Sequence, residues 1–310
     1  MIMSWLHRAV VGVAQQPWLS SLVSRHGMKL GAARFVAGVN LAEVMEVVKG
    51  INADGRRVTL DHLGEGVTNE GMAQKMADAL VTSLDAIAEQ RIVSRVNVSI
   101  KLTQLGLDLG ESIIWRHMER IVRYAKQLGI FVRIDMENFS RLPQTLQITE
   151  RLADCFGSSQ VGTVVQSCLR DAGGYARALI QKGIRARIVK GAYMESPRVA
   201  FPRKSDVDTN FEHIAHLYLR SGVHVALATH DEALVQRLRI WIQQQNIPKE
   251  MYEFQMLYGI ATQLQKRLVR EGYTVRVYVP YGVDWYSYLM RRIAERPANA
   301  WFVLHNLFRK

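Results

Sequence analysis

The chain reads as an α/β protein, a TIM-type (β/α)8 barrel with an N-terminal helical arm, on three observations. Eight short apolar or β-branched runs recur between residues 57 and 279. Segments of helical periodicity separate them, and Gly129, Gly183, Gly222 and Gly272 stand where helices would stop before the next run. The Gly-x-Gly-x-x-Gly fingerprint of a doubly wound sheet is missing. Its nearest match, Gly64-Glu-Gly66, has Asn69 at the third glycine position.

The strands are expected at 57–61, 96–102, 131–136, 161–166, 186–190, 224–229, 252–257 and 274–279. Helices are expected at 72–89, 112–128, 142–153, 175–181, 209–220, 231–245 and 261–271. Alternation with short connections requires parallel strands and right-handed crossovers, and eight such units close most naturally into a barrel. Residues 1–50 contribute no strand and read as the helical arm; residues 51–310 form the barrel domain.

With 310 residues, 48% of them hydrophobic, and a mean hydropathy of −0.04, the chain can bury a large core. Two cysteines, Cys155 and Cys168, make neither a disulfide framework nor a Cys-x-x-Cys site, which suits a reduced cytoplasmic protein. No apolar run reaches the roughly 18 residues of a membrane span. The net charge is +12, and Arg8, Arg25, Lys29 and Arg34 all precede the first acid, Glu43. With Trp5, Leu6, Trp18 and Leu22, that basic leader suits either an anionic membrane surface or an arm packed on the barrel. No zinc-finger, homeodomain or RNP pattern accompanies the charge, so nucleic acid is not the expected partner.

Barrel chemistry gathers at the carboxyl ends of strands. Polar residues cluster at the expected ends: Asp61, His62 and Glu65 after the first, Lys101 after the second, Asp135 and Glu137 after the third. Gln166 follows, then Arg187 and Lys190, Thr229, His230 and Asp231, Glu253 and Gln255, and Tyr278. Burying this many charges unpaired is costly, which implies a ligand. Beyond the last strand, Arg291 and Arg292 stand together on an aromatic-rich helix, where two guanidinium forks can converge on one small anion. A zinc hydrolase would need two histidines at i and i+2 on the first strand; Asp61 and His62 are adjacent and point to opposite faces. A Schiff-base lyase using Lys101 or Lys190 stays open.

Several segments carry a resemblance. Thr59-Leu-Asp-His-Leu-Gly-Glu65, Ser99-Ile-Lys-Leu102, Arg187-Ile-Val-Lys-Gly-Ala-Tyr193, Ala228-Thr-His230 and Glu253-Phe-Gln-Met-Leu-Tyr-Gly259 occur in order, followed by the run from Tyr278 to Arg292. Over residues 35–305 the chain resembles the flavin-dependent proline dehydrogenase family in its short monofunctional bacterial form. The resemblance implies a distorted barrel that binds FAD without a Rossmann fold. It implies oxidation of L-proline to Δ1-pyrroline-5-carboxylate by hydride transfer to flavin N5, the first step of proline catabolism to glutamate. Electrons would pass to a membrane quinone, giving the basic leader a peripheral role at the inner face of the cytoplasmic membrane. A pyrroline-5-carboxylate dehydrogenase would act downstream.

By the same resemblance, Arg291, Arg292 and Lys101 would neutralise the substrate carboxylate, while Tyr278 and Leu257 would wall the pocket. Arg187 would lie beside the flavin, held by Asp135. Gln166, Lys190, Gly191, Ala192, Thr229 and His230 match FAD-contacting positions, as does Met136 through its backbone. Glu65 would pair with Arg291 as a gate. Asp231 departs from the asparagine of many relatives. A related branch handles hydroxyproline, and the bulk of Tyr288, one turn before Arg292, favours proline.

Overall fold

The computed structural model describes residues 32–64 and 66–295, with the backbone alone at 32 and 291–295. Eight strands close a parallel barrel in sequence order: β1 (Arg57–His62), β2 (Val96–Ile100), β3 (Val132–Ile134), β4 (Val161–Gln166), β5 (Arg185–Val189), β6 (Val225–Ala228), β7 (Tyr252–Leu257) and β8 (Val275–Tyr281). Closure runs through six β1–β8 pairs, from Arg57 opposite Arg276 to His62 opposite Tyr281. Helix α1 (Leu41–Ala53) precedes the barrel and sets Val44, Met45, Val48 and Ile51 into its core. The crossovers are α2 (Glu70–Glu89), α3 (Glu111–Leu128), α4 (Leu142–Phe156), α5 (Ala172–Gln181), α6 (Lys204–Ser221), α7 (Glu232–Gln244) and α8 (Thr262–Arg270). Helix α9 (Trp285–Glu295) follows β8. Among the described residues no helix is long and apolar enough to cross a membrane.

Local chemistry accounts for the helix ends. The Asn69 side chain accepts from the Met72 amide (3.0 Å) and Asp231 from the Leu234 amide (3.3 Å), each satisfying an orphan donor in a first turn. Gly129 and Gly222 end α3 and α6 in the left-handed conformation. Helix α6 begins five residues before the expected 209, because its first turn, Lys204-Ser-Asp206, is polar and carries no apolar period. Strand β3 is shorter than the expected 131–136. Beyond Ile134 the carbonyls of Met136 and Glu137 accept from the Gln166 side chain (3.3 and 2.9 Å) instead of from a neighbouring strand.

The alternation along the strands sets the character of the molecule. One set of side chains is aliphatic: Val58 and Leu60, Val96, Val98 and Ile100, Val132 and Ile134, Val275, Val277 and Val279 join the helices in one buried cluster. Each such side chain contributes about 1.5–3 kcal/mol on leaving water. The other set faces inward and is polar, with Thr59 bonded to Asn97 (2.5 Å), Ser99 to Asp135 (2.7 Å), and Arg187 to Gln255 (2.7 Å). Aliphatic layers more often fill the interior of such a barrel. Here the apolar core is the sleeve between sheet and helices.

Gly162 on β4 shows how closely the polar interior is packed. A β-carbon there would lie 2.4 Å from the Arg185 carbonyl oxygen and 2.7 Å from Arg133 Nη1. Gly162→Ala should destabilise the fold by about 2 kcal/mol through overpacking, read as a lower urea midpoint at unchanged slope. An unchanged midpoint would mean that the interior yields without strain.

Candidate active site

A cavity of ≈ 430 Å³ opens at the carboxyl end of the barrel. Lys101 and Asp135 contribute to it just past β2 and β3, Gln166 at the end of β4, and Arg187 from within β5. Lys190, Gly191 and Ala192 follow β5; Thr229 and His230 follow β6; Leu257 closes β7, and Tyr278 rises from β8. Met136 also lines the cavity, and Tyr288 of α9 contributes from across the mouth. The structure therefore brings together every residue to which the resemblance gave a catalytic or binding role and whose side chain it describes. Arg291 and Arg292 continue α9 beyond Tyr288, but their side chains lie outside the described residues, as does all of Glu65.

Asp135 is the centre of the polar cluster. Its Oδ1 accepts from Ser99 Oγ (2.7 Å) and Arg187 Nη1 (2.8 Å), and its Oδ2 accepts from Tyr278 Oη (2.8 Å). Burial pushes the carboxyl upward, but Arg187 and Lys101 outweigh it and hold the group below the usual carboxylate range. Burial, then Asp135 and Asp61, hold the Tyr278 phenol well above its ordinary value, so it remains a donor. Arg187 Nε donates to Gln255 Oε1 (2.7 Å), and the ring of Tyr278 lies 5.1 Å from its guanidinium carbon. Its remaining nitrogen, Nη2, is buried and has no hydrogen-bond partner among the described residues.

Lys101 is more heavily engaged than the sequence suggested. Its ammonium donates to both oxygens of the fully buried Asp61 (2.9 and 3.0 Å) and to Tyr278 Oη (3.4 Å), with Asp135 Oδ2 at 3.7 Å. Burial works against its charge, yet Asp61 and Asp135 more than offset that and raise the pKa above the ordinary lysine range. A Schiff-base nucleophile must shed its proton, so Lys101 is poorly placed for that chemistry. Lys190 is held as firmly, between Asp208 (2.6 Å) and Asp231 (2.9 Å). The departure at Asp231 thus has a physical role, since a neutral amide would cap α7 without neutralising Lys190 and Lys204.

The cavity wall near Lys190 depends on glycine. Gly191 has φ +106°, and a β-carbon there would collide with Cys168 Sγ. Burial lifts the Cys168 thiol to about 11, so it stays protonated. His230 Nε2 accepts from the Leu257 amide (2.9 Å), which places that ring's proton on Nδ1 and ties β6 to β7.

Two expectations are corrected. Glu253 does not belong to this end: it is the second residue of β7, bonded to Arg276 Nε (2.7 Å) near the opposite mouth, and the later residues Gln255, Met256 and Leu257 reach the site. Glu137 turns away to accept from the Thr103 amide and hydroxyl (3.2 and 2.8 Å). Asp61 as the counter-ion of Lys101, Ser99 as a donor to Asp135, and Gln255 as the support of Arg187 were missed as a working unit. Their inward parity on the strands was the available signal.

Arg187, whose Nη2 is buried without a hydrogen-bond partner among the described residues, and Gly191 line the same cavity. Residues 44–305 match the family described as Proline dehydrogenase. Proline dehydrogenase 1 of Bacillus subtilis is 42% identical over 98% of this chain and 100% of its own length. Proline dehydrogenase of Deinococcus radiodurans is 38% identical over 100% of both chains. The crystal structure of proline utilization A (PutA) from Bdellovibrio bacteriovorus, inactivated by N-propargylglycine, superposes with a TM-score of 0.82 at 26% identity. That alignment covers 90% of this chain and 34% of the other, so the chain spans about a third of that larger protein. With the family matched over most of its length and full-length relatives of this similarity, the chain belongs to the proline dehydrogenase family of enzymes.

Proposed function

We propose that the chain oxidises L-proline to Δ1-pyrroline-5-carboxylate, with FAD as its cofactor and a membrane quinone as the electron acceptor. One observation carries this reading: the unpartnered, buried Nη2 of Arg187 beside the cavity, in a guanidinium already fixed by Asp135 and Gln255. FAD would be held by Gln166, Lys190, Gly191, Ala192, Thr229 and His230, with the Met136 backbone, and would supply the two-electron acceptor for hydride lost from the ring carbon beside nitrogen.

The protein's own part is electrostatic and steric. Arg187 keeps a permanent positive charge at the wall of the cavity, and its held geometry means that no reorganisation is needed when negative charge develops. Asp135 keeps Arg187 in place and is itself kept ionised by it. Lys101 and Asp61 neutralise each other, so Lys101 has limited charge to spare for the substrate carboxylate. Arg291 and Arg292 would therefore carry most of that binding, orienting the ring over the cavity. Leu257 and Tyr278 offer walls to the small apolar ring, and Tyr288 restricts the space for an added hydroxyl, which favours proline over hydroxyproline. Glu65 and Arg291 would form a gate. The product would pass to a pyrroline-5-carboxylate dehydrogenase. The basic leader, outside the described residues, would bring the enzyme to an anionic membrane where quinone is found.

Purified protein should be yellow, and anaerobic L-proline should bleach it; a colourless protein that cannot be reconstituted with FAD would refute the reading. Arg292→Met should weaken L-proline binding by about a hundredfold while leaving FAD affinity roughly unchanged, since a paired guanidinium–carboxylate contact is lost. Parallel losses in both titrations would show that the arginine serves another purpose. Tyr288→Ser should raise kcat/KM for hydroxyproline relative to proline by about tenfold; an unaltered ratio would remove Tyr288 from substrate selection.

A further inference from the structure

We propose that the amino-terminal mouth of the barrel, opposite the active site, is a second binding site, for a phosphorylated small molecule carrying two or more negative charges. A cavity of ≈ 630 Å³ opens there. Arg57, Arg133, Arg185 and Arg276 enter it from the strand starts, and Lys249 from the short turn before β7. Against these five cations stand two carboxylates, Glu250 and Glu253.

The amino end of such a barrel is ordinarily concerned with stability. A purely stabilising role would pair these charges, and most are not paired. Glu253 binds Arg276 (2.7 Å), and among the described residues that is the one ion pair within the mouth. Arg133 is only 2% exposed, yet its hydrogen bonds run to two backbone carbonyls, those of Thr163 and Arg185, both at 2.9 Å. Among the described residues its Nε is buried without a partner, as is Glu253 Oε2. Arg185 makes no ion pair among the described residues; its guanidinium lies over Phe131 (5.6 Å), which also carries that of Arg133 (4.8 Å). One aromatic ring thus fixes two guanidinium groups relative to each other.

The local field agrees with an unmet excess of positive charge. Burial, then Arg187, presses the Arg133 guanidinium down to about 9. Burial pushes the neighbouring His224 to about 4, with Arg185, Arg133 and Arg276 acting in the same direction against Glu253. An anion in the mouth would offset the part of both shifts that comes from like charge. Gly162 supports the same reading, because any β-carbon there would take the space that Arg133 Nη1 occupies. Guanidinium forks from separate strands match the oxygens of a phosphate group. The cavity exceeds the size of one oxyanion, which leaves room for the rest of a small phosphorylated molecule.

Calorimetric titration of the full-length, cofactor-loaded protein at constant ionic strength tests this, with inorganic pyrophosphate as the probe and citrate as the polycarboxylate comparison. Pyrophosphate should bind one per chain and raise Tm. Arg185→Gln and Lys249→Gln should each weaken it by about tenfold. Absence of saturable pyrophosphate binding, binding that both variants leave intact, or saturation by citrate without pyrophosphate would each overturn the proposal. Should Arg185→Gln fail to fold, Arg57→Gln at the exposed rim is the substitute and should weaken binding in the same way.

Discussion

Asp135, buried at the carboxyl end of the barrel, accepts from Ser99, Arg187 and Tyr278 at once, and the charges of Arg187 and Lys101 together with these bonds hold it as a carboxylate. The rest of the site takes its geometry from this group. Arg187 is fixed in position by it, Tyr278 is oriented by it, and Lys101 is drawn between it and Asp61. Removing one partner of such a network leaves a buried charge uncompensated, which is the costly outcome for interior ions. The arrangement therefore behaves as a unit.

A site whose interior charges are already balanced has a consequence for recognition. Two cations, Lys101 and Arg187, meet two anions, Asp61 and Asp135, at short range. The described part of the cavity is therefore close to neutral. Charge on an incoming ligand has to be answered from outside the strands. The lysines at the lip, Lys190 and Lys204, are likewise answered by Asp208 and Asp231. In the proposed function that answer falls to Arg291 and Arg292 of α9, an element that belongs to no strand.

The fold was legible because the sequence changes period. The β4 and β7 runs, 161–166 and 252–257, match the observed strands end to end, and Gly129 and Gly222 stop their helices where expected. Side-chain surrogates for backbone pairing were not legible: nothing local to 131–136 says that Gln166 will satisfy the Met136 and Glu137 carbonyls and end β3 early. The motif residues were readable as site residues, since the strand ends collect them. What escaped was partnership. That Lys101 pairs with Asp61, 40 positions away, depends on the register of β1 against β2. Glu253 was assigned to the wrong mouth although the start of its strand, Tyr252, was read correctly: as the second residue it lies at the amino end, and its charge was weighed ahead of its place in the run.

One chain of contacts runs the length of the barrel axis. Arg276 donates to Glu253 Oε1, Gln255 Nε2 donates to the same oxygen (2.6 Å), and Gln255 Oε1 holds Arg187, which holds Asp135. Substitutions along this column cannot accumulate independently. A lineage that neutralised Glu253 would strand Arg276 and loosen Gln255 together, so the five positions should drift as a coordinated group, inherited or exchanged in concert.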